Sequence, residues 1–186
     1  MTLKYIAITI TTLFLLSGCG DSKQEEDMNA LVAKNSYTLK DIQDNVFKIT
    51  KTGKEFHVEG LEDKIVLLDL FATWCPPCRA SAKNLSDLQT KYKDDMKVIG
   101  VLVEEDKDKA YVKKFADKYG ANYSISNAKD NQKLSRAIAS ATGVGQGFPI
   151  PLMVMYYKGK YINHYVGAIP EEMIESDIIM TLKKYK

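Results

Sequence analysis

Between residues 37 and 58, polar and apolar positions alternate, with Val46, Phe47, Ile49, Phe56 and Val58 placed around Gly53. Period-two alternation about a glycine predicts a β-hairpin. Residues 65–70 then read Ile-Val-Leu-Leu-Asp-Leu, a short apolar run that suits a strand buried on both faces. Past Trp74-Cys75-Pro76-Pro77 the period changes. Cys78, Ala82, Leu85, Leu88 and Tyr92 recur at three- and four-residue steps, which predicts a helix. Residues 98–103 repeat the buried-strand signature, and residues 110–119 read as a helix with Tyr111, Phe115 and Tyr119 at four-residue spacing. Residues 123–125 suit a short strand and residues 132–139 a short helix, followed by a Gly/Pro-rich loop over residues 143–151. Residues 152–157 and 161–166 flank Lys158-Gly159-Lys160, a strand–turn–strand pattern. Pro170 opens a last helix with Ile174, Ile178 and Leu182 on one face. Strands alternating with helices, then a hairpin and a final helix, argue for an α/β sandwich. There are no internal repeats and no domain break after residue 40.

Composition adds little to this and removes some possibilities. With 186 residues, 45% hydrophobic and 27% charged, the chain can bury a core without disulfide staples. A net charge of +2 gives no electrostatic footprint for nucleic acid. The lysines over residues 107–118 alternate with acids, as on a solvated helix face.

The N-terminus has its own pattern. Lys4 precedes a mostly apolar stretch over residues 5–16, too short for the roughly 20 residues a bilayer span needs, and proportioned as the apolar region of a signal peptide. Leu16-Ser17-Gly18-Cys19 resembles the bacterial lipoprotein box. That resemblance implies a signal peptide over residues 1–18 and a lipid-modified Cys19, anchoring the chain to a membrane without crossing it. Polar residues follow, so residues 19–35 read as the lipidated cysteine and a tether. Residues 36–186 remain for the folded domain.

Of three cysteines, Cys19 then belongs to the anchor, and Cys75 and Cys78 remain. Two cysteines three apart can close a disulfide across the first turn of a helix. The earlier thiol faces the positive end of the helix dipole, which favours the reacting thiolate. Cys75 is the expected nucleophile, and Cys78 resolves the mixed disulfide. Pro76 and Pro77 remove two N–H donors, leaving the Cys78 amide as the main local partner of a Cys75 thiolate. A moderate lowering of the Cys75 pKa follows, favouring reducing or isomerising work. Zinc is the competing use of such a pair, but it usually takes four ligands, and His57 and His164 are isolated. No metal site is expected.

Phe71-Ala72-Thr73-Trp74-Cys75-Pro76-Pro77-Cys78-Arg79 resembles the active-site segment of the thioredoxin superfamily. It is most similar to the membrane-anchored, periplasm-facing TlpA/ResA type, and Tyr37-Thr38-Leu39-Lys40-Asp41 resembles the strand that precedes their fold. The resemblance implies a thioredoxin-like fold, a central mixed β-sheet flanked by helices with an N-terminal hairpin extension. It makes Asp69, six residues before Cys75, a buried acid that takes and returns the Cys78 proton. It also calls for a cis-proline facing the disulfide. Pro149 and Pro151 compete, and the spacing to Gly159 and Gly167 selects Pro151, with Ile150 offering its backbone to a docking peptide. Trp74 would pack over the disulfide and, with Pro76, Pro77, Ile150 and Pro151, line the substrate surface. The family's acidic cytochrome-maturation motif is not evident near Pro151, and the glycine-rich residues 143–148 depart from the usual pattern.

The implied function is reduction or isomerisation of protein disulfides in the cell envelope. It would use no cofactor beyond the Cys75–Cys78 disulfide, act as a monomer, and be recharged by a membrane electron donor of the thiol-transfer type. Two alternatives stand beside it: an oxidase that introduces disulfides, and a copper chaperone using the same pair with His164 as a third ligand.

Overall fold

The apolar run at residues 65–70 becomes the centre of the molecule. Every residue of strand Ile65–Phe71 is buried, because sheet neighbours flank both its edges and packed layers cover both its faces. The computed structural model describes residues 35–185. The expected signal peptide, Cys19 and all of the tether but Asn35 lie outside the described residues. Among the described residues, no helix is long and apolar enough to cross a membrane.

In chain order the elements are β1 (Ser36–Lys40), β2 (Val46–Thr52), β3 (Glu55–Val58), β4 (Ile65–Phe71), α1 (Pro76–Lys91), β5 (Met96–Leu102), α2 (Lys109–Tyr119), β6 (Ser124–Ser126), α3 (Asn131–Thr142), β7 (Leu152–Tyr157), β8 (Lys160–Val166) and α4 (Glu171–Tyr185). Strands β6-β5-β4-β7-β8 form a mixed five-stranded sheet, with β4 parallel to β5 and antiparallel to β7. Alternation along β4 splits the core. Ile65, Leu67 and Phe71 pack with Ala82, Leu85 and Leu88 of α1 and with Ile174 and Ile178 of α4. Val66, Leu68 and Leu70 pack with Leu134 and Ile138 of α3 and with Leu39, Ile49 and Phe56 of the first sheet. By the same period-two rule Asp69 falls on the α1 face.

The N-terminal hairpin about Gly53 forms as β2 and β3, with Thr52 opposite Glu55. A third strand, β1, pairs antiparallel with β2. The turn between them is built on the fully buried Asp41. Its carboxylate accepts from the backbone N–H groups of Gln43 and Asn45 and from the Asn45 side chain, at 2.8–2.9 Å. In α2 the expected stripe is displaced. The buried residues are Val112, Phe115 and Ala116, and Tyr111 is 42% exposed. The Asp108 side chain caps this helix, and from that start the 100° step turns Tyr111 out of the core.

The β7–β8 turn places Lys158 and Gly159 at φ 52° and 78°. A Cβ on Gly159 would overlap the His57 ring. Gly159→Ala therefore carries a left-handed backbone cost of about 1–2 kcal/mol together with displacement of His57. A lower urea midpoint is expected, with part of the loss recovered by adding His57→Ala. An unchanged midpoint would refute this account of the turn.

Candidate active site

Cys75 is the N-cap of α1, in extended conformation, with Pro76 and Pro77 as the first helical residues. The helix starts here because neither proline needs an N–H that the first turn could not satisfy. Cys75 and Cys78 form a disulfide with Cα atoms 5.3 Å apart. The Cys78 N–H donates to Cys75 Sγ at 3.3 Å, as the proline pair implies. Both cysteines are nearly inaccessible, at 2% and 3% exposure.

Opposite them, the Ile150–Pro151 peptide is cis. The Ile150 carbonyl oxygen lies 3.6 Å from Cys75 Sγ. Pro151 is buried and leads into β7, and its own carbonyl accepts from the Gly167 N–H at 2.9 Å. Pro149 is exposed. Trp74, expected to pack over the disulfide, is 61% exposed. Most of its surface is therefore open to solvent. Pro76 is also exposed and Pro77 half-buried.

Asp69 is 2% exposed. Burial pushes its carboxyl up to about 7, opposed by the Tyr123 hydroxyl. That hydroxyl donates to Oδ2 at 3.5 Å, and Oδ1 has no hydrogen-bond partner among the described residues. Gly100 lies beside Asp69 on β5. A Cβ there would come within 3.1 Å of both the Phe71 and Tyr123 rings, so the missing side chain lets Tyr123 approach.

A further set of groups converges on Thr73. Glu104 Oε2 accepts from the Thr73 N–H at 2.5 Å and from its hydroxyl at 2.6 Å. Arg79 Nε donates to the Thr73 carbonyl at 2.7 Å, and the Tyr111 hydroxyl lies 3.0 Å from Thr73 Oγ1. Sequence reasoning passed over these partners because Glu104 and Tyr111 sit 31 and 38 positions from Thr73. His57 bonds Glu55 and His164 bonds the Tyr161 hydroxyl. Among the described residues no group of three His, Cys, Asp or Glu side chains is placed to hold a metal ion.

Residues 34–173 match the Redoxin family. The chain is 30% identical over 124 residues to the thiol-disulfide oxidoreductase ResA of Bacillus thuringiensis, covering 66% of each chain. The match therefore spans just under two thirds of that relative's own length. It is 34% identical over 77 residues to the thioredoxin-like protein YneN of Bacillus subtilis, covering 41% of this chain and 45% of that one. Among solved structures, the exposed lipoprotein thioredoxin Etrx1 of Streptococcus pneumoniae superposes with a TM-score of 0.57 at 19% identity, over 78% of this chain and 98% of that one. A thioredoxin-family thiol:disulfide interchange protein of Chlorobium tepidum gives 0.58 at 18% identity, over 78% and 92%. These structural likenesses establish the thioredoxin-like fold.

Proposed function

The chain belongs to the Redoxin family, and we propose on that footing that it is a thiol–disulfide oxidoreductase that reduces or isomerises disulfides in substrate proteins. The observation that carries the reading is the Cys75–Cys78 disulfide at the N-terminus of α1, with the Ile150 carbonyl 3.6 Å from Cys75 Sγ. In the dithiol form the Cys75 thiolate attacks one sulfur of a substrate disulfide. A mixed disulfide forms and one substrate thiolate leaves. Cys78, losing its proton to Asp69, then attacks Cys75 Sγ. The second substrate thiolate leaves and the Cys75–Cys78 disulfide is restored, so two electrons have passed to the substrate. The Ile150 backbone, with Trp74, Pro76, Pro77 and Pro151, receives the substrate segment beside the disulfide. No cofactor beyond the cysteine pair takes part, and the protein acts as a monomer.

The finer assignments rest on sequence. Residues 1–18 act as a lipoprotein signal peptide, lipidated Cys19 anchors the chain, and residues 20–35 tether a domain that works outside the cytoplasm. A membrane thiol donor returns the electrons. The Etrx1 structure carries the description of an exposed lipoprotein thioredoxin, which supports this placement.

The test is the reduction potential of the full chain, read from the fluorescence of Trp74, the single tryptophan, against a thiol buffer. A value near about −270 mV, as in thioredoxin, supports a reductase. A value near about −120 mV reverses the direction and makes the protein a disulfide donor.

A further inference from the structure

Thr73 is 5% exposed, and each of its polar groups is held by a side chain from another part of the fold. Glu104, just past the end of β5, takes both the N–H and the hydroxyl on one oxygen. Because the Thr73 hydroxyl donates its hydrogen to Glu104, the Tyr111 hydroxyl of α2 must be the donor in their 3.0 Å contact. Arg79 of α1 takes the carbonyl, and its guanidinium lies over the Tyr119 ring at 5.3 Å. Glu104 is itself fixed: its side chain is 9% exposed and Lys107 lies 3.8 Å away. The strand end that carries it is pinned by Asn131 on the Leu102 carbonyl, Gln132 on the Val103 carbonyl and the Val103 N–H on the Phe71 carbonyl. Charge-assisted hydrogen bonds of this kind are short and directional. Three of them, two to Glu104 and one from Arg79, hold one residue two positions before Cys75.

We propose that Glu104, acting with Arg79, is a positioning residue for thiol exchange: it clamps the Thr73 backbone so that Cys75 stays in register with Cys78 and Ile150 once the disulfide has opened. The inference rests on the thiol–disulfide reading above. In the oxidised state the disulfide itself fixes Cys75. After reduction that constraint is gone, and the backbone leading into Cys75 is held by the Cys75 N–H on the Ala72 carbonyl at 3.2 Å and by the clamp at Thr73. Loss of the clamp therefore acts on the dithiol and on the mixed disulfide. There Cys78 must meet Cys75 Sγ in line, and a misplacement of about 1 Å can cost about 100-fold in rate.

The experiment mixes the reduced full chain with excess glutathione disulfide, so that Cys75 takes up one glutathione as a mixed disulfide and the other leaves as thiolate, and follows closure to Cys75–Cys78, with release of the second glutathione, by stopped-flow Trp74 fluorescence. In parallel, the reduced protein is alkylated with iodoacetamide. Glu104→Ala is expected to slow closure by about 10- to 100-fold while Cys75 alkylates at least as fast as in the unaltered chain. Glu104→Gln keeps an acceptor oxygen and is expected to restore closure to within a few-fold. Closure of Glu104→Ala at the unaltered rate, or Glu104→Gln as slow as Glu104→Ala, would overturn the proposal. Should Glu104→Ala fail to fold, Arg79→Met releases the Thr73 carbonyl from half-exposed Arg79 and must show the same selective slowing. An unaltered chain that neither accepts nor resolves glutathione would instead defeat the thiol-exchange reading.

Discussion

Cys75→Ser is expected to abolish turnover of a protein disulfide, by at least about 10³-fold, and Cys78→Ser to arrest the protein as a covalent mixed disulfide with its substrate. The asymmetry follows from position. Cys75 caps α1, where the helix dipole and the Cys78 N–H at 3.3 Å both favour negative charge on sulfur. Pro76 and Pro77 supply no competing amide. The Ile150 carbonyl at 3.6 Å opposes that charge, so the thiolate is favoured without being extreme. Cys78 sits inside the first turn of the helix, and the Ile150 backbone, which receives the substrate segment, lies against Cys75 Sγ. Serine in place of Cys75 removes the nucleophile. Serine in place of Cys78 removes the group that releases the product. Non-reducing gels with a disulfide-containing substrate separate the two. Trapped complexes on Cys75→Ser, with none on Cys78→Ser, would exchange the two roles.

What the sequence made legible is what local chemistry decides. The run at residues 65–70 suited a strand buried on both faces and forms β4, and the prolines after Cys75 suited the helix start where it lies. Counting from Gly159 and Gly167 chose Pro151 over Pro149, and the cis peptide lies at Ile150–Pro151. Of the lysines in residues 107–118, Lys109, Lys113, Lys114 and Lys118 face solvent and Lys107 is half-buried, with Lys113 paired to Asp117 one turn on. Long-range pairings were not legible. Nothing around Asp41, at the end of the expected entry strand, shows that it is buried and bridges to Ser126 of β6. Glu104 and Tyr111 carry no sign of their meeting at Thr73, because that meeting depends on β4 and β5 lying side by side.

Asp69→Asn is expected to slow turnover near neutral pH and, in the same protein, to flatten the loss of stability as pH rises. Both effects come from one cause. Asp69 is fully enclosed, and burial lifts its carboxyl from 3.8 to about 7. An acid poised there exists in both forms near neutrality, which suits it to accept the Cys78 proton and return it. An amide can do neither, so the inflection near pH 7 in the turnover profile should vanish. Tyr123→Phe tests the same group from the other side. It removes the one hydrogen bond among the described residues that favours the carboxylate, and should move the inflection upward. For stability the sign is fixed by linkage. The folded protein holds this proton more tightly than the unfolded chain, so the contribution is fully present below about pH 4. It is lost as pH rises through about 7, reaching up to about 4 kcal/mol for a shift of some three units. The introduced amide would not titrate, and leaving it without a partner costs about 1–3 kcal/mol at every pH. Urea midpoints from pH 4 to 8 should therefore fall less steeply for Asp69→Asn than for the unaltered chain, with the difference developing between about pH 4 and 7. Parallel curves would mean that Asp69 does not carry a raised pKa, and the proton-transfer role would fall with it.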